Sequence, residues 1–255
     1  MFWEGFRSGP GGCLMSAWVE GAVVVVTGAA GGVGQAVATW LAERGAQVFA
    51  LDRRRPDSGV GTFVDVDVLS EASIDAAVQQ VLRGAGRIDG LVAAAGLSEE
   101  PTPAEDMDLA VWQRTIGVNL TGVFLTCQRV GRVMLEQQSG RIVTVASMSG
   151  AHIVNVPQRQ VAYNASKGGL VAMTKSLAYE WALRGVRVNA LSPGYVDTPL
   201  LGSKHELHRI WKAATPLRRF AEPHEIAAAA AWLLSDEAAF CCGTELLMDG
   251  GYSLA

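Results

Sequence analysis

Residues 22–34 read AVVVVTGAAGGVG, and this stretch decides the fold. Its run of valines is typical of a strand that is buried on both faces of a sheet. A glycine-rich turn follows, in which Gly28 permits a tight bend, Gly32 lets the backbone approach a pyrophosphate and Gly34 lets the next helix pack on the strand. That helix, predicted from about residue 33 to 44, would present unpaired N–H groups to the phosphates. The stretch therefore predicts a dinucleotide site.

The alternation of strand and helix continues along the rest of the chain. Further strands are predicted at 47–51, 62–66, 88–93, 141–146, 186–190 and 245–248, and further helices at 70–83, 109–137, 161–183 and 223–234. Residues 53–61 predict a loop, and 193–217 a loop with short helices, because both are rich in breaking residues. The pattern predicts an α/β fold: a single-domain Rossmann, doubly wound parallel sheet of about seven strands with helices on both faces.

The domain organisation predicted from the sequence is simple. Residues 21–255 form a single dinucleotide-binding and catalytic domain, because no repeat, low-complexity tract or linker interrupts them. Residues 1–20 are glycine-rich and lack the continuous apolar segment of a secretory signal. They are expected to form an N-terminal extension that is loosely ordered.

Composition excludes several classes of partner. Of 255 residues, 49% are hydrophobic and 18% charged, and the net charge of -4 gives no electrostatic case for nucleic acid or an acidic membrane surface. No apolar run reaches the roughly 20 residues that span a bilayer. The four cysteines and four histidines show no metal-ligand spacing, so no metal site is predicted. Free thiols in a chain of this size favour a reducing, cytoplasmic location.

The residues that follow the second predicted strand bear on the choice of cofactor. Asp52 lies 18 residues after Gly34, where a carboxylate accepts hydrogen bonds from ribose hydroxyls and repels a 2′-phosphate. This favours NAD. Arg53, Arg54 and Arg55 come next, and an arginine in this loop can instead hold the phosphate of NADP. NAD is the expected cofactor, with NADP as the alternative.

A tyrosine and a lysine indicate the chemistry. Tyr163 and Lys167 are four residues apart and so share one face of a predicted helix. A free tyrosine has a pKa of about 10, too high for efficient proton transfer at neutral pH. The ammonium of Lys167, together with the positive nicotinamide of an oxidised cofactor, is expected to lower the pKa of Tyr163.

These segments together resemble the short-chain dehydrogenase/reductase family, over essentially all of residues 22–252. The matching pieces are TGAAGGVG at 27–34, Asp52, Asp65-Val66, Ala95-Gly96, Asn119, Ser147, Tyr163 with Lys167, Pro193-Gly194 and Asp249-Gly250-Gly251. The sequence departs from the family where Ala93-Ala94-Ala95-Gly96 replaces the usual Asn-Asn-Ala-Gly. It also lacks the usual helix between residues 52 and 65, which leaves the adenine site more open.

The resemblance implies a catalytic set of Asn119, Ser147, Tyr163 and Lys167. In it, Asn119 holds a proton-relay water, Ser147 bonds the substrate oxygen and Tyr163 transfers the proton. Ser149 is the alternative to Ser147, since the gap to the tyrosine is longer than usual. The implied cofactor contacts are Gly28, Gly32, Val33, Gly34, Asp52, Arg53, Asp65, Val66, Ala95, Gly96, Tyr163, Lys167, Pro193, Gly194, Val196 and Thr198.

The segment 147–163, SMSGAHIVNVPQRQVAY, is polar and resembles the corresponding stretch of galactitol and sorbitol dehydrogenases. Ser149, Asn155, Gln158 and Tyr195 are the candidate substrate contacts, although amides here could equally satisfy loop backbone groups. The resemblance implies an NAD-dependent oxidoreductase that interconverts a secondary alcohol and a ketone on a polyol-like substrate. A 3-oxoacyl thioester or other carbonyl reductase using NADPH, and an NAD-binding sensor without turnover, are the alternatives. Family members pair through helices 109–137 and 161–183, so a homotetramer or homodimer is expected.

Overall fold

A computed structural model describes residues 16–202 and 205–254 of the chain. In these residues seven parallel strands form one sheet in the order β3-β2-β1-β4-β5-β6-β7. The strands are β1 Val23–Thr27, β2 Gln47–Asp52, β3 Thr62–Asp65, β4 Gly90–Ala93, β5 Gly140–Val145, β6 Val186–Pro193 and β7 Glu245–Met248. The predicted fold class is confirmed.

Helices cover both faces of this sheet. They are α1 Ser16–Val19, α2 Gly32–Ala42, α3 Glu71–Ala85, α4 Leu109–Ile116, α5 Val123–Gln137, α6 Val161–Trp181, α7 Pro199–Gly202, α8 His205–Ala214 and α9 Pro223–Leu234. On one face α2 and α9 pack against the sheet, and on the other α3, α5 and α6 do. Val23 and Val25 of β1 enter one core while Val24 and Val26 enter the other, which is why the strand is apolar throughout.

Local signals fix the ends of the helices. The Ser70 hydroxyl accepts the N–H of Ser73 at 3.2 Å and so caps the start of α3. Gly86 ends that helix in the left-handed conformation, with φ of 72°. At α9 the side chain of Glu225 accepts the N–H of Glu222 at 2.8 Å, and Pro223 occupies the first turn. These ends agree with the predicted ones to within two residues.

The sheet topology locates a crevice. The chain runs outward from β1 to β3 and then returns to β4 on the other side of β1, so the direction of winding reverses between β1 and β4. Loops that leave the carboxyl ends of these two strands diverge to opposite faces, and ligands of open α/β sheets bind in the crevice between them. The glycine-rich turn after β1 lies at this point.

Two parts of the fold differ from expectation. Ser16–Val19 is helical and Val19 is fully buried, so the packed domain begins before the predicted residue 21. The rest of the predicted N-terminal extension lies outside the described residues. The predicted helix 109–137 is present but is divided by a π-helical turn, Gly117–Gly122, between α4 and α5. Such turns are rare and often occur at functional sites.

The segment between β2 and β3 is a loop, and β6 is longer than predicted. The described residues between β2 and β3 contain no helix, as the loop composition predicted. β6 extends three residues beyond the predicted end and brings Pro193 into the sheet. None of the helices in residues 16–202 and 205–254 combines the length and the apolar character required to cross a membrane.

Candidate active site

Gly28, Gly32 and Gly34 of the glycine-rich turn have no space for a side chain. Gly28 has φ of 66°, and a Cβ on it would lie 2.7 Å from the carbonyl carbon of Ala94 in the loop after β4. A Cβ on Gly34 would overlap the carbonyl oxygen of Gly28, and one on Gly32 would overlap the side chain of Thr198. The glycine-rich turn, the loop after β4 and Thr198 therefore meet here with the close approach that a pyrophosphate requires.

The start of α2 can hold a dinucleotide phosphate. Gly31 is its extended N-cap residue and has no side chain to cap the first-turn N–H groups, which include that of Val33. Asp52 ends β2 beside this turn, where its Oδ2 accepts the Ala30 N–H at 3.0 Å and its Oδ1 accepts the Arg54 N–H at 3.1 Å. The carboxylate is thereby fixed at the position where a ribose diol would bind, so the residues present fit the group.

The predicted adenine contacts lie at the carboxyl ends of β2 and β3. Asp65 is opposite Asp52 in the parallel register, and the N–H of Val66 donates to the Asp52 carbonyl at 3.2 Å. Val66 is buried whereas Asp65 is exposed. Of the arginines, Arg53 is exposed, while the guanidinium of Arg55 lies 4.8 Å from the ring centroid of Phe63.

The predicted nicotinamide contacts lie in the loops after β4 and β6. The N–H of Ala95 donates to the Thr27 hydroxyl at 3.4 Å, and Gly96 lies against Asn119 and Lys167. After β6, a Cβ on Gly194 would meet Asp249 at 2.7 Å. Val196 and Thr198, two further predicted cofactor contacts, lie in the same loop. The Thr198 hydroxyl donates to the carbonyl of Val196 at 3.4 Å, which directs this loop towards the glycine-rich turn.

Ser147, Tyr163 and Lys167 come together at the carboxyl end of β5. The Lys167 ammonium is 5.7 Å from the centroid of the Tyr163 ring and donates to the carbonyl oxygen of Val145 at 2.7 Å. The Ser147 hydroxyl accepts the Ser149 N–H at 3.1 Å and lies close enough to the Tyr163 phenol to lower the pKa of that phenol. Ser147 and Lys167 are both buried, at 7% and 5% exposure, so an oxygen held between hydroxyl and phenol would be largely shielded from water.

The proton affinities at this site differ from expectation. Burial raises the pKa of Tyr163 above its ordinary value, the Ser147 hydroxyl lowers it and the Glu99 carboxylate raises it. Burial also lowers the pKa of Lys167 to about 8. The expectation that Lys167 lowers the pKa of Tyr163 is therefore not met in the protein alone, because the buried ammonium is directed to the Val145 carbonyl.

Asn119 occupies the π-helical turn and is fully buried. Its Oδ1 accepts the N–H of Leu97 at 2.8 Å, and its Nδ2 donates to the Leu97 carbonyl at 2.8 Å and to the Ser166 hydroxyl at 3.1 Å. The side chain is thus committed to holding the loop after β4 against α6. The predicted proximity to Lys167 is present through Gly96, which both side chains approach.

The candidate substrate contacts form a paired network. The Ser149 hydroxyl donates to Asn155 Oδ1 at 2.7 Å, and Asn155 Nδ2 donates to Gln160 Oε1 at 2.9 Å. Gln158 Nε2 donates to the Tyr195 hydroxyl at 3.4 Å. All three amide side chains are less than 9% exposed and bond to other side chains rather than to loop backbone, except that Gln160 also donates to the Glu99 carbonyl.

Two residues were missed by the sequence analysis as parts of this site. Trp211 on α8 is buried, stacks on Tyr195 at 4.4 Å between ring centroids and donates to Gln158 Oε1 at 3.3 Å. Glu99 is buried beside Tyr163, whose N–H donates to Glu99 Oε1 at 3.0 Å. Glu99 gave no signal because residues 98–106, SEEPTPAED, have the composition of a solvated loop.

Comparison with known proteins agrees with this geometry. Residues 28–253 match the family model described as enoyl-(acyl carrier protein) reductase. The chain is similar to D-threitol dehydrogenase of Mycolicibacterium smegmatis, at 41% identity over 92% of this chain and 94% of the relative. It is also similar to galactitol 2-dehydrogenase of Rhizobium johnstonii, at 37% identity over 92% and 96%. Among solved structures, the aldohexose dehydrogenase of Thermoplasma acidophilum matches with a TM-score of 0.88 and 31% identity, over 93% of this chain and 96% of that one.

The resemblance predicted from the motifs is confirmed by these matches, including the likeness to polyol dehydrogenases. The fold, the glycine-rich turn and the serine–tyrosine–lysine arrangement occur in one chain whose whole described domain aligns with dehydrogenases. The chain is an oxidoreductase of CH–OH groups, and it belongs to the short-chain dehydrogenase/reductase family.

Proposed function

We propose that this protein is an NAD-dependent dehydrogenase that interconverts a secondary alcohol and a ketone on a polyol or sugar-like substrate. The observation that carries the proposal is the convergence of three side chains at the carboxyl end of β5: the buried Ser147, the half-buried Tyr163 and the buried Lys167, whose ammonium is 5.7 Å from the Tyr163 ring. A hydroxyl and a phenol held together can bind one carbinol oxygen from two sides. This arrangement has a use in proton transfer that a cofactor-binding sensor would not need.

The proposed mechanism assigns each residue one task. In oxidation the ionised Tyr163 oxygen, which has already released its own proton towards solvent, accepts the proton of the substrate hydroxyl, and in reduction the phenol returns it. Ser147 donates a hydrogen bond to the substrate oxygen and stabilises the charge that develops there. Lys167 holds the nicotinamide ribose. When bound, the dinucleotide supplies the hydride acceptor and a positive ring, which opposes the raised pKa of Tyr163.

Asn119 is proposed to position the loop after β4 and not to contact the substrate. Since its amide is bonded to Leu97 and Ser166, the side chain fixes the loop after β4 against α6. A proton passing from Tyr163 towards solvent would travel along the Lys167 ammonium and a water held next to the π-helical turn. The buried lysine, with a pKa of about 8, is suited to such an exchange near neutral pH.

A direct assay tests the proposed function. The purified protein is mixed with NAD or NADP and a panel of polyols, hydroxysteroids and simple secondary alcohols. In the reductive direction it is mixed with NADH or NADPH and with ketoses or β-ketoacyl thioesters. The absorbance of the reduced nicotinamide reports turnover. Efficient use of polyols with NAD is expected. Tight NAD binding without turnover on any substrate would instead favour the sensor, and a preference for thioesters with NADPH would favour the acyl reductase.

The preference for NAD rests on the Asp52 carboxylate. We expect Asp52→Asn, which keeps an acceptor for one N–H but removes the charge, to lower the ratio of kcat/KM for NAD to that for NADP by about ten-fold or more. Asp57→Asn, an exposed change in the same loop, is the matched control and is expected to leave the ratio unchanged. A wild-type enzyme that prefers NADPH would contradict the assignment.

The two serines can be separated by substitution. Ser147→Ala is expected to lower kcat by about 10²–10³-fold, as the loss of a donor to a developing oxyanion does. Ser149→Ala is expected to cost at most about ten-fold, because its hydroxyl is bonded to Asn155 and a neutral hydrogen bond contributes little. Steady-state kinetics on one alcohol measures both. The reverse order of effects would make Ser149 the catalytic residue.

We also propose a homotetramer or homodimer in the cytoplasm. Several apolar side chains of the α4–α5 region are exposed in the single chain, among them Leu109 at 65% and Phe124 at 37%. A second copy of the chain would cover them. The described cysteines, Cys127, Cys241 and Cys242, form no disulfide, in keeping with a reducing compartment. Light scattering that gives a monomer would contradict the assembly.

A further inference from the structure

Glu99 is an unusual side chain for its surroundings. It lies in the loop after β4, three residues beyond Gly96, and is only 5% exposed. Acidic side chains are almost never fully buried without partners, because desolvation of the charge is costly. One carboxylate oxygen, Oε1, accepts the N–H of Tyr163 at 3.0 Å in the first turn of α6. The other oxygen, Oε2, has no hydrogen-bond partner.

The backbone around Glu99 holds this carboxylate in place. Gln160, the residue before α6, donates to the Glu99 carbonyl at 3.0 Å and also to the hydroxyl of Ser98. The negative charge lies close enough to the Tyr163 phenol to affect its proton affinity. Glu99 is therefore fixed beside the reacting group and is not a side chain that can turn out to water.

The neighbouring polar side chains cannot pair with Oε2. In the described residues, Glu99 Oε2 and Thr115 Oγ1 are the buried side-chain oxygens or nitrogens without a partner. Ser149, Asn155 and Gln160, which surround the same region, are bonded to one another. An ionised carboxylate can only accept hydrogen bonds, so Oε2 requires a donor that the chain does not provide. Native proteins contain few such groups, so the unpaired oxygen of Glu99 calls for a donor from outside the chain.

We propose that Glu99 is a specificity-determining residue that accepts a hydrogen bond from a second hydroxyl of the substrate, on the carbon next to the reacting carbinol. The inference rests on the proposed function. It narrows the substrate class to vicinal diols, polyols and the corresponding α-hydroxyketones. An alcohol without the second hydroxyl would bind with Oε2 still unpaired, and a site built for a hydroxyl rejects the analogue that lacks it.

Matched substrate pairs test the proposal. The value of kcat/KM is measured for 2,3-butanediol against 2-butanol and for 1,2-cyclohexanediol against cyclohexanol, with each stereoisomer separate. The wild-type enzyme is expected to prefer one isomer of the diol by about ten-fold or more. Glu99→Gln keeps an acceptor for the Tyr163 N–H but removes the charge. It is expected to lower the diol-to-alcohol ratio by about ten-fold, because charge-assisted hydrogen bonds are roughly twice as strong as neutral ones.

The controls separate this role from a structural one. Glu100→Gln, an exposed change at the next position, is expected to leave the ratio unaltered. Equal losses on diol and alcohol in Glu99→Gln, or a wild-type enzyme that does not discriminate, overturn the proposal. Should that variant not fold, Glu99→Asp, which withdraws the charge by one methylene, is expected to lower the ratio in the same way. If neither alcohol nor diol reduces NAD, the proposed function itself fails.

Discussion

Replacement of Tyr163 by phenylalanine is expected to lower kcat by about 10³-fold or more, because it removes the one oxygen that exchanges a proton with the substrate. The ring remains in place, so packing around it is retained. The Lys167 ammonium lies 5.7 Å from the ring centroid and bonds to Val145, not to the phenol, so its position does not depend on the hydroxyl. Binding of NAD is therefore expected to stay within about three-fold of wild type.

The measurement combines stopped assays of turnover with titration of NAD by protein fluorescence. Tyr179→Phe is the matched control: it makes the same chemical change on the same helix, at a side chain that is 89% exposed. It is expected to leave kcat unchanged. If Tyr163→Phe keeps more than about a tenth of the wild-type turnover, Tyr163 is not the proton-transferring residue. The proposal that this site transfers protons is then contradicted as well.

Lys167→Met is expected to produce two separate effects. Turnover falls by about 10²-fold or more, since the group that holds the ribose and exchanges the proton is lost. The pH dependence of stability also changes. Burial lowers the pKa of Lys167 from 10.5 to about 8, so between these pH values the unfolded chain binds a proton that the folded chain has released. The free energy of unfolding of the wild type therefore rises with pH across this window.

The size of that second effect follows from the shift in pKa. Two and a half pH units correspond to about 3 kcal/mol, so the wild type is expected to gain about 3 kcal/mol relative to Lys167→Met between pH 8 and pH 10.5. Urea unfolding of the cofactor-free proteins at both pH values measures it. Lys175→Met, an exposed lysine on α6, is the control and is expected to show no such difference. If the free energy of unfolding changes equally in wild type and Lys167→Met between pH 8 and pH 10.5, the pKa of Lys167 is not lowered by burial.

The local patterns of this sequence determined the fold and the cofactor crevice. The valine run and the glycine-rich turn are contiguous, and Asp52 follows 18 residues after Gly34 at the end of the next strand, so the geometry of one strand–turn–helix–strand unit specifies all three. The same holds for Tyr163 and Lys167, since two residues four positions apart on a helix share a face. The missing helix between β2 and β3 was predicted from Pro and Gly for the same reason.

Only the tertiary structure decided which hydrogen-bond partners the site residues have and how their pKa values are shifted. That the Asn119 side chain is held between Leu97 and Ser166, and that Glu99 is buried beside Tyr163, depends on contacts between segments far apart in sequence. The raised pKa of Tyr163 has the same origin, because burial and the orientation of Lys167 exist only in the folded chain. Spacing along a sequence specifies which residues share an element, whereas desolvation and hydrogen-bond pairing are set by what the other elements bring against it.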